Sequence, residues 1–325
     1  MNHGAYILGC AGLSLSAQEK AFFRDANPWG FILFARNVDT PDQLSRLTQE
    51  LRDSVGWRAP ILIDQEGGRV QRLRAPAWRE FLPPLDDIAR CDDPARSMWL
   101  RGRLIADDLT GVGIDVNCAP TLDIAGALTH PFLRNRCYGS DAKTVAAMGR
   151  AMVDGMAAGG VASVMKHMPG HGRGTADSHK NLPRVTVSRA ELANDFAPFQ
   201  ALNDLPMAMS AHIVMEAIDP DLPATQSPAC IKVIREDIGF DGLLMTDDVS
   251  MQALSGTVQT RGALALAAGC DVVLHCNGDL AEMQSIAELG VMCHAAQTRA
   301  DLAADSRPKP LSIDIAALEA EFQSL

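Results

Sequence analysis

Within fourteen positions, from Lys166 to His179, the chain carries three histidines, a lysine, an arginine and an aspartate. Three glycines and Pro169 make the same stretch a loop rather than a helix. Loops held by a rigid scaffold are where catalytic groups concentrate. Asp177 and His179 are one residue apart, so in an extended or turn conformation the carboxylate reaches the imidazole. Such a pairing fixes the ring tautomer and stabilises the protonated ring, which is what a histidine general acid/base needs. Zinc is the competing use of this cluster. It would require His167 and His171 to share a helix face, and Pro169 and Gly170 lie between them. There is no HExxH, and the cysteines do not offer metal-ligand spacing, so no metal or other cofactor is expected.

Two further segments carry acids. Leu243–Ser250 reads as an apolar strand ending in Asp247 and Asp248. Adjacent strand residues point to opposite faces, so only one of the two is expected to aim inward, and spacing alone does not choose between them. One inward carboxylate with a separate proton donor is the arrangement of retaining glycoside hydrolysis through a covalent glycosyl-enzyme. No GxxxxGK loop is present to cradle a phosphate. The third segment, Asp64-Gln65-Glu66-Gly67-Gly68-Arg69-Val70-Gln71-Arg72, sets carboxylates and arginines around a tight turn. Carboxylates accept paired sugar hydroxyls and arginine donates in a fork.

Positioning these groups requires a repeating scaffold. Short apolar runs recur at 5–10, 30–34, 60–64, 114–120, 162–167, 207–212, 242–247 and 271–276, and continuous runs bounded by turn residues fit strands covered on both faces. Helical periodicity lies between them, as at Ala142–Ala158 and at Thr260–Ala268, where Gly269 is the expected stop. Eight strands alternating with helices predict a single-domain α/β fold, a (β/α)8 TIM-type barrel with room for an imperfect barrel start; a doubly wound sheet is the alternative. Four strands end in ionisable groups: Asp64, Lys166 with His167, His212, and Asp247. That fits a barrel, whose sites lie at the C-terminal ends of its strands. The catalytic barrel is assigned to residues 1–305, and 306–325 to a C-terminal extension packing a last helix outside it.

Composition narrows the function classes. The 325 residues carry 40 acidic against 29 basic side chains, for a net charge of −11. No basic face with interleaved aromatics is evident, so a nucleic-acid partner is not expected. The eight cysteines are scattered without a CxxC and read as small buried groups in a reducing compartment. Ile7-Leu8-Gly9-Cys10 has the outline of a lipoprotein signal, but none of the nine residues before Cys10 is Lys or Arg. Residues 5–10 are therefore read as a buried strand. No run approaches the ~20 apolar residues of a membrane span, so no membrane partner and a cytoplasmic location are expected.

The segments DQEGGRVQRL, KHMPGHGRGTADSHKNLP and LLMTDDVSM, in this order and at these strand ends, closely resemble the family 3 glycoside hydrolases. The likeness is greatest to their single-domain bacterial β-N-acetylhexosaminidases, and it runs from GFILFARN through PATQSP to the strand at 271–276. The resemblance implies a barrel with Asp247 as nucleophile, His179 as acid/base and Asp177 as its dyad partner. It also implies that Asp64, Arg72, Lys166 and His167 bind sugar hydroxyls, with Arg136 of LRNRCYGSD as a further sugar-binding arginine. Many members of the family take a glutamate acid/base from a second domain; this chain stops short of one, in keeping with the loop-histidine version. Met168 stands where phenylalanine or isoleucine is usual, and Thr246 where serine is common; both are size-tolerant changes.

By this resemblance the substrate is a GlcNAc-glycoside, a terminal β-linked GlcNAc on a muropeptide such as GlcNAc-1,6-anhydro-MurNAc with or without peptide, and the role is peptidoglycan recycling. The acid/base loop is expected to move and to close over bound sugar. The alternatives are a β-glucosidase or a GlcNAc or glucoside phosphorylase on the same fold, and a sugar-binding barrel without catalysis.

Overall fold

The computed structural model describes residues 2–176 and 181–325. Its central strands are β1 (Gly4–Leu8), β2 (Pro28–Leu33), β3 (Ile61–Ile63), β4 (Val116–Asn117), β5 (Ala162–Met168), β6 (Met207–Ser210), β7 (Leu243–Asp248) and β8 (Val272–His275). Each pairs in parallel with the next, and β1 pairs with β8 through Tyr6 opposite Val273 and Ile7 opposite Leu274. That last pairing closes the sheet into a barrel and removes the doubly wound alternative. Each of the eight apolar windows read from the sequence overlaps one barrel strand. The start is irregular, with the β1–β2 register shifting between Gly4 and Ile7.

Alternation along the strands builds two layers. Ile7, Ile32, Leu62, Val116, Val164, Met209, Met245 and Leu274 form the interior cluster. Leu8, Leu33 and Ile63 face an outer cluster on one side, and Met165, Ala208 and Leu244 one on the other. At the N-terminal end of the strands, Ala296, Ala300 and Ala303 of helix His294–Asp305 pack onto the interior cluster. The Met292 N–H bonds the His3 carbonyl in the same region.

The helix Ala142–Ala158 has the bounds expected from its periodicity, with Asp141 accepting from the Thr144 N–H at its start. The expected helix 260–268 begins two residues earlier, at Val258, because Thr257 caps it, and Gly269 ends it with φ 113°. A pair of two-residue strands, 184–185 and 214–215, forms a separate small sheet that periodicity did not predict. Helix Ile315–Ser324 lies on helix Pro94–Thr110. Arg96 forks onto Glu321 at 2.7 and 2.7 Å, and Phe81 meets Phe322 at 5.9 Å between ring centres. Seven cysteines are buried, Cys293 is exposed and all eight are free thiols. Among the described residues no helix is long and apolar enough to cross a membrane.

Candidate active site

The loop after β3 is folded back by Gln65, whose side-chain oxygen accepts from the backbone N–H groups of Arg72 (2.8 Å) and Leu73 (3.1 Å). Arg101, fully buried on helix Pro94–Thr110, braces the same loop from below. It donates to the carbonyls of Glu66 and Leu82, both at 2.6 Å, and to Asp87 at 2.9 Å. Gly67 takes φ 104°, and a Cβ there would sit 1.9 Å from Arg101 Nη2. This bracing presents Asp64, Glu66 and Arg72 at one mouth. Asp64 accepts from Lys166 Nζ at 2.8 Å and from Arg72 Nη2 at 3.1 Å. Glu66 accepts both guanidinium N–H groups of Arg136, at 2.9 and 2.8 Å, and lies 2.6 Å from Lys166 Nζ.

These contacts settle the charges. Burial would raise the Asp64 carboxyl, but Lys166 and Arg72 outweigh it and hold the group at about 2. Glu66 is likewise lowered, because Arg136 and Lys166 override the cost of its burial. Lys166 is held above the ordinary lysine range: burial acts against its charge, and Asp64 and Glu66 more than compensate. The mouth thus presents fixed cations and fixed carboxylates to whatever enters.

At the end of β5 the register against β6 shifts between Met165 and Met168, and both Lys166 and His167 line the same cavity. Asp123 organises this end. Its Oδ2 lies 2.7 Å from His167 Nδ1, and its Oδ1 accepts the His171 backbone N–H at 2.6 Å. A carboxylate acceptor on Nδ1 places that proton and leaves Nε2 as an acceptor, 3.5 Å from Arg136 Nη2. Burial would raise the Asp123 carboxyl; His167 and His171 reverse this and lower it.

The β7 end corrects the expectation that only one of its two acids faces inward. The β7–β8 register shifts between Val272 and Leu274, and both Asp247 and Asp248 line the cavity. Their surroundings differ. Asp248 Oδ1 accepts from the backbone N–H groups of Ser250 (2.9 Å) and Cys276 (3.1 Å), and its Oδ2 from the Ser250 hydroxyl (2.6 Å). Asp247 Oδ1 accepts from the Asp248 N–H at 2.8 Å. Thr246 accepts the Leu274 N–H at 2.9 Å. His212 is buried behind the strand, 3.0 Å from the Asp248 carbonyl and 2.9 Å from Thr225 Oγ1, and does not line the cavity.

Six residues expected at the site, Asp64, Arg72, Arg136, Lys166, His167 and Asp247, therefore line one cavity of about 200 Å³ at the C-terminal ends of the strands. The other two, Asp177 and His179, lie outside the described residues. Asp123 was not expected at the site, whereas Glu66 and Asp248 were named only within their acidic segments and His171 only as a possible zinc ligand. Asp123 had a faint signal, being a lone acid six residues past β4 in an otherwise apolar stretch. Among the described residues no group of three or more His, Cys, Asp or Glu is placed to hold a metal ion.

Residues 8–304 match the glycosyl hydrolase family 3 N-terminal domain. The chain belongs to glycoside hydrolase family 3. This glycoside hydrolase is 36% identical over 290 residues to a β-hexosaminidase of Bordetella avium, covering 86% of the chain and 82% of the relative. It is 38% identical over 285 residues to one of Alkalilimnicola ehrlichii, covering 84% and 81%. Its structure is similar to that of native NagZ from Neisseria gonorrhoeae, with a TM-score of 0.85 at 30% identity, covering 100% of this chain and 96% of that one. The hydrolase is of the β-N-acetylhexosaminidase type and acts on carbohydrate.

Proposed function

We propose that this hydrolase is a retaining exo-β-N-acetylglucosaminidase, with Asp247 as nucleophile, His179 as general acid/base and Asp177 as the partner that orients it. In the first step an Asp247 oxygen bonds to the anomeric carbon, the glycosidic bond breaks, and His179 gives its proton to the departing oxygen. In the second, water gives a proton to neutral His179 and its oxygen replaces Asp247. Asp64, Arg72, Arg136, Lys166 and His167 hold the sugar's hydroxyls.

The observation that carries this reading is the division of labour between neighbouring acids. Both acids share the cavity with the charged sugar-holding set, and Asp248 has both oxygens engaged by Ser250 and Cys276, which favours Asp247 as the nucleophile. The cavity is smaller than the ~300 Å³ at which clefts for drug-sized ligands begin, which suits a single terminal sugar. The preferred substrate is terminal β-linked GlcNAc on a peptidoglycan fragment, GlcNAc-1,6-anhydro-MurNAc with or without peptide, acted on in the cytoplasm during cell-wall recycling. Residues 1–305 carry the chemistry, and 306–325 brace the barrel from outside.

The test is trapping with a fluorinated GlcNAc glycoside followed by peptide mass spectrometry, with NMR of the first-formed sugar. Label on Asp247 and a first-formed β anomer support the proposal. Label on Asp248, a first-formed α anomer, faster turnover of the glucoside, or a strict requirement for phosphate would each overturn it.

A further inference from the structure

His171 belongs to the loop after β5 and lines the same cavity, yet the mechanism above gives it no task. It is 3% exposed, its backbone N–H is bound by Asp123, and its ring meets that of His167 edge-on at 5.8 Å between centres. Neither ring nitrogen has a hydrogen-bond partner among the described residues. Buried polar atoms are overwhelmingly paired, so an imidazole left with two unpaired nitrogens at a binding cavity is matched to something that enters it.

Its surroundings define what that is. Burial holds the imidazole at about 4, below its ordinary value, with Asp123 only partly opposing, so the ring is neutral near pH 7. Other polar groups of the cavity, among them Asp64, Lys166, Arg72 and Arg136, are tied into ion pairs and suit hydroxyls. The segment after β4 is tied to the His171 loop by Thr129 Oγ1 donating to the Gly172 carbonyl and the His130 N–H to the Gly174 carbonyl. This segment brings Phe132 and Leu133 onto the cavity wall. A neutral ring that donates from one nitrogen and accepts at the other, in a cavity that also offers apolar side chains, matches an uncharged amide carrying a methyl group.

We propose that His171 is a specificity-determining residue that binds the 2-acetamido group of the sugar, with Phe132 and Leu133 facing its methyl. This rests on the assignment of the cavity as the GlcNAc site. Gly174 belongs to the same device, since a Cβ there would press on the His171 ring at 2.9 Å.

The test compares kcat/KM for p-nitrophenyl β-GlcNAc and p-nitrophenyl β-glucoside in the wild type, His171→Phe and His171→Asn. The phenylalanine variant should lose roughly 30- to 100-fold on the GlcNAc substrate and less than about 3-fold on the glucoside. Asparagine, which keeps a donor and an acceptor, should recover part of that loss. Equal losses on both substrates in both variants, or no loss on the GlcNAc substrate, would overturn the assignment. Fluorosugar labelling of Asp247 in the wild type separates the two proposals: labelling with unchanged selectivity in the variants sinks only the role of His171, whereas absent labelling sinks the mechanism.

Discussion

Glu66 and Arg136, seventy residues apart, face each other as a fork on a fork, with Nε and Nη2 each bonded to a separate carboxylate oxygen. Both side chains are almost wholly buried, and Lys166 shares the Glu66 carboxylate at 2.6 Å. The pair therefore sets where two cavity-lining cations stand. Such bidentate pairs are the stronger and more directional ion pairs.

Removing that carboxylate strands two buried cations. Glu66→Ala should lower unfolding stability by ~3–5 kcal/mol, read from urea denaturation, and should also raise KM. Glu66→Gln should fall between the variant and wild type. A Glu66→Ala protein as stable as wild type would show that the fork carries no structural weight.

The two acids of β7 should separate in kinetics. Asp247→Ala should reduce kcat by roughly 10³–10⁴-fold or more, as for other members of a catalytic group, with little change in thermal stability. Asp248→Ala leaves the Ser250 and Cys276 N–H groups without their acceptor. It should cost ~1–3 kcal/mol in stability and a smaller share of activity. The reverse pattern would exchange the two roles.

Acid should destabilise the protein in two windows. The His171 pKa is depressed from 6.5 to about 4, so between those values the unfolded chain takes up a proton that the folded ring refuses. Stability therefore falls as pH drops through that range, by on the order of 3 kcal/mol. Among the described residues, the charged and titratable groups acting on the ring are Asp123, His167, Asp247 and Arg136. Asp64, held at about 2, contributes stability that is intact above the ordinary aspartate value of ~3.9 and lost as pH falls through about 2. Urea midpoints measured against pH should show the first decline in wild type and a flatter curve in His171→Asn. An unchanged slope in the variant would remove His171 as its cause.

Gly67→Ala should destabilise by more than ~1 kcal/mol, because the position has φ 104° and its Cβ would collide with the buried Arg101 guanidinium. Thermal denaturation checks this, and a neutral result would mean that the loop rearranges freely.

Deleting residues 306–325 removes the Glu321 and Glu319 partners of Arg96 and Arg79 and uncovers Phe81. The melting temperature should fall by roughly 5 °C or more, while kcat/KM stays within about 3-fold. Loss of activity in a protein that is still folded would place part of the chemistry in the tail.

The strands were legible because a covered parallel strand is apolar on both faces, and the short apolar runs opening 162–168 and 243–248, bounded by turn residues, fit that pattern. Barrel closure was not, since the pairing of Tyr6 with Val273 joins the two ends of the chain and leaves no local mark. Among the site residues, Asp64, Lys166, His167 and Asp247 stood out as ionisable groups ending apolar runs, and Arg72 as a cation in the turn after one of them. Asp123 did not, because its value comes from a contact with His167 forty-four positions away. The pair Asp247 and Asp248 was misjudged for a local reason: strict alternation was assumed where a register shift turns both acids to one cavity.

The cavity rests on Ile32, Met209, Leu274 and Cys276, the upper members of the packed barrel interior. Its floor is therefore sealed: whatever enters at the strand ends must leave by the same mouth, so a cleaved sugar still in place bars the next substrate.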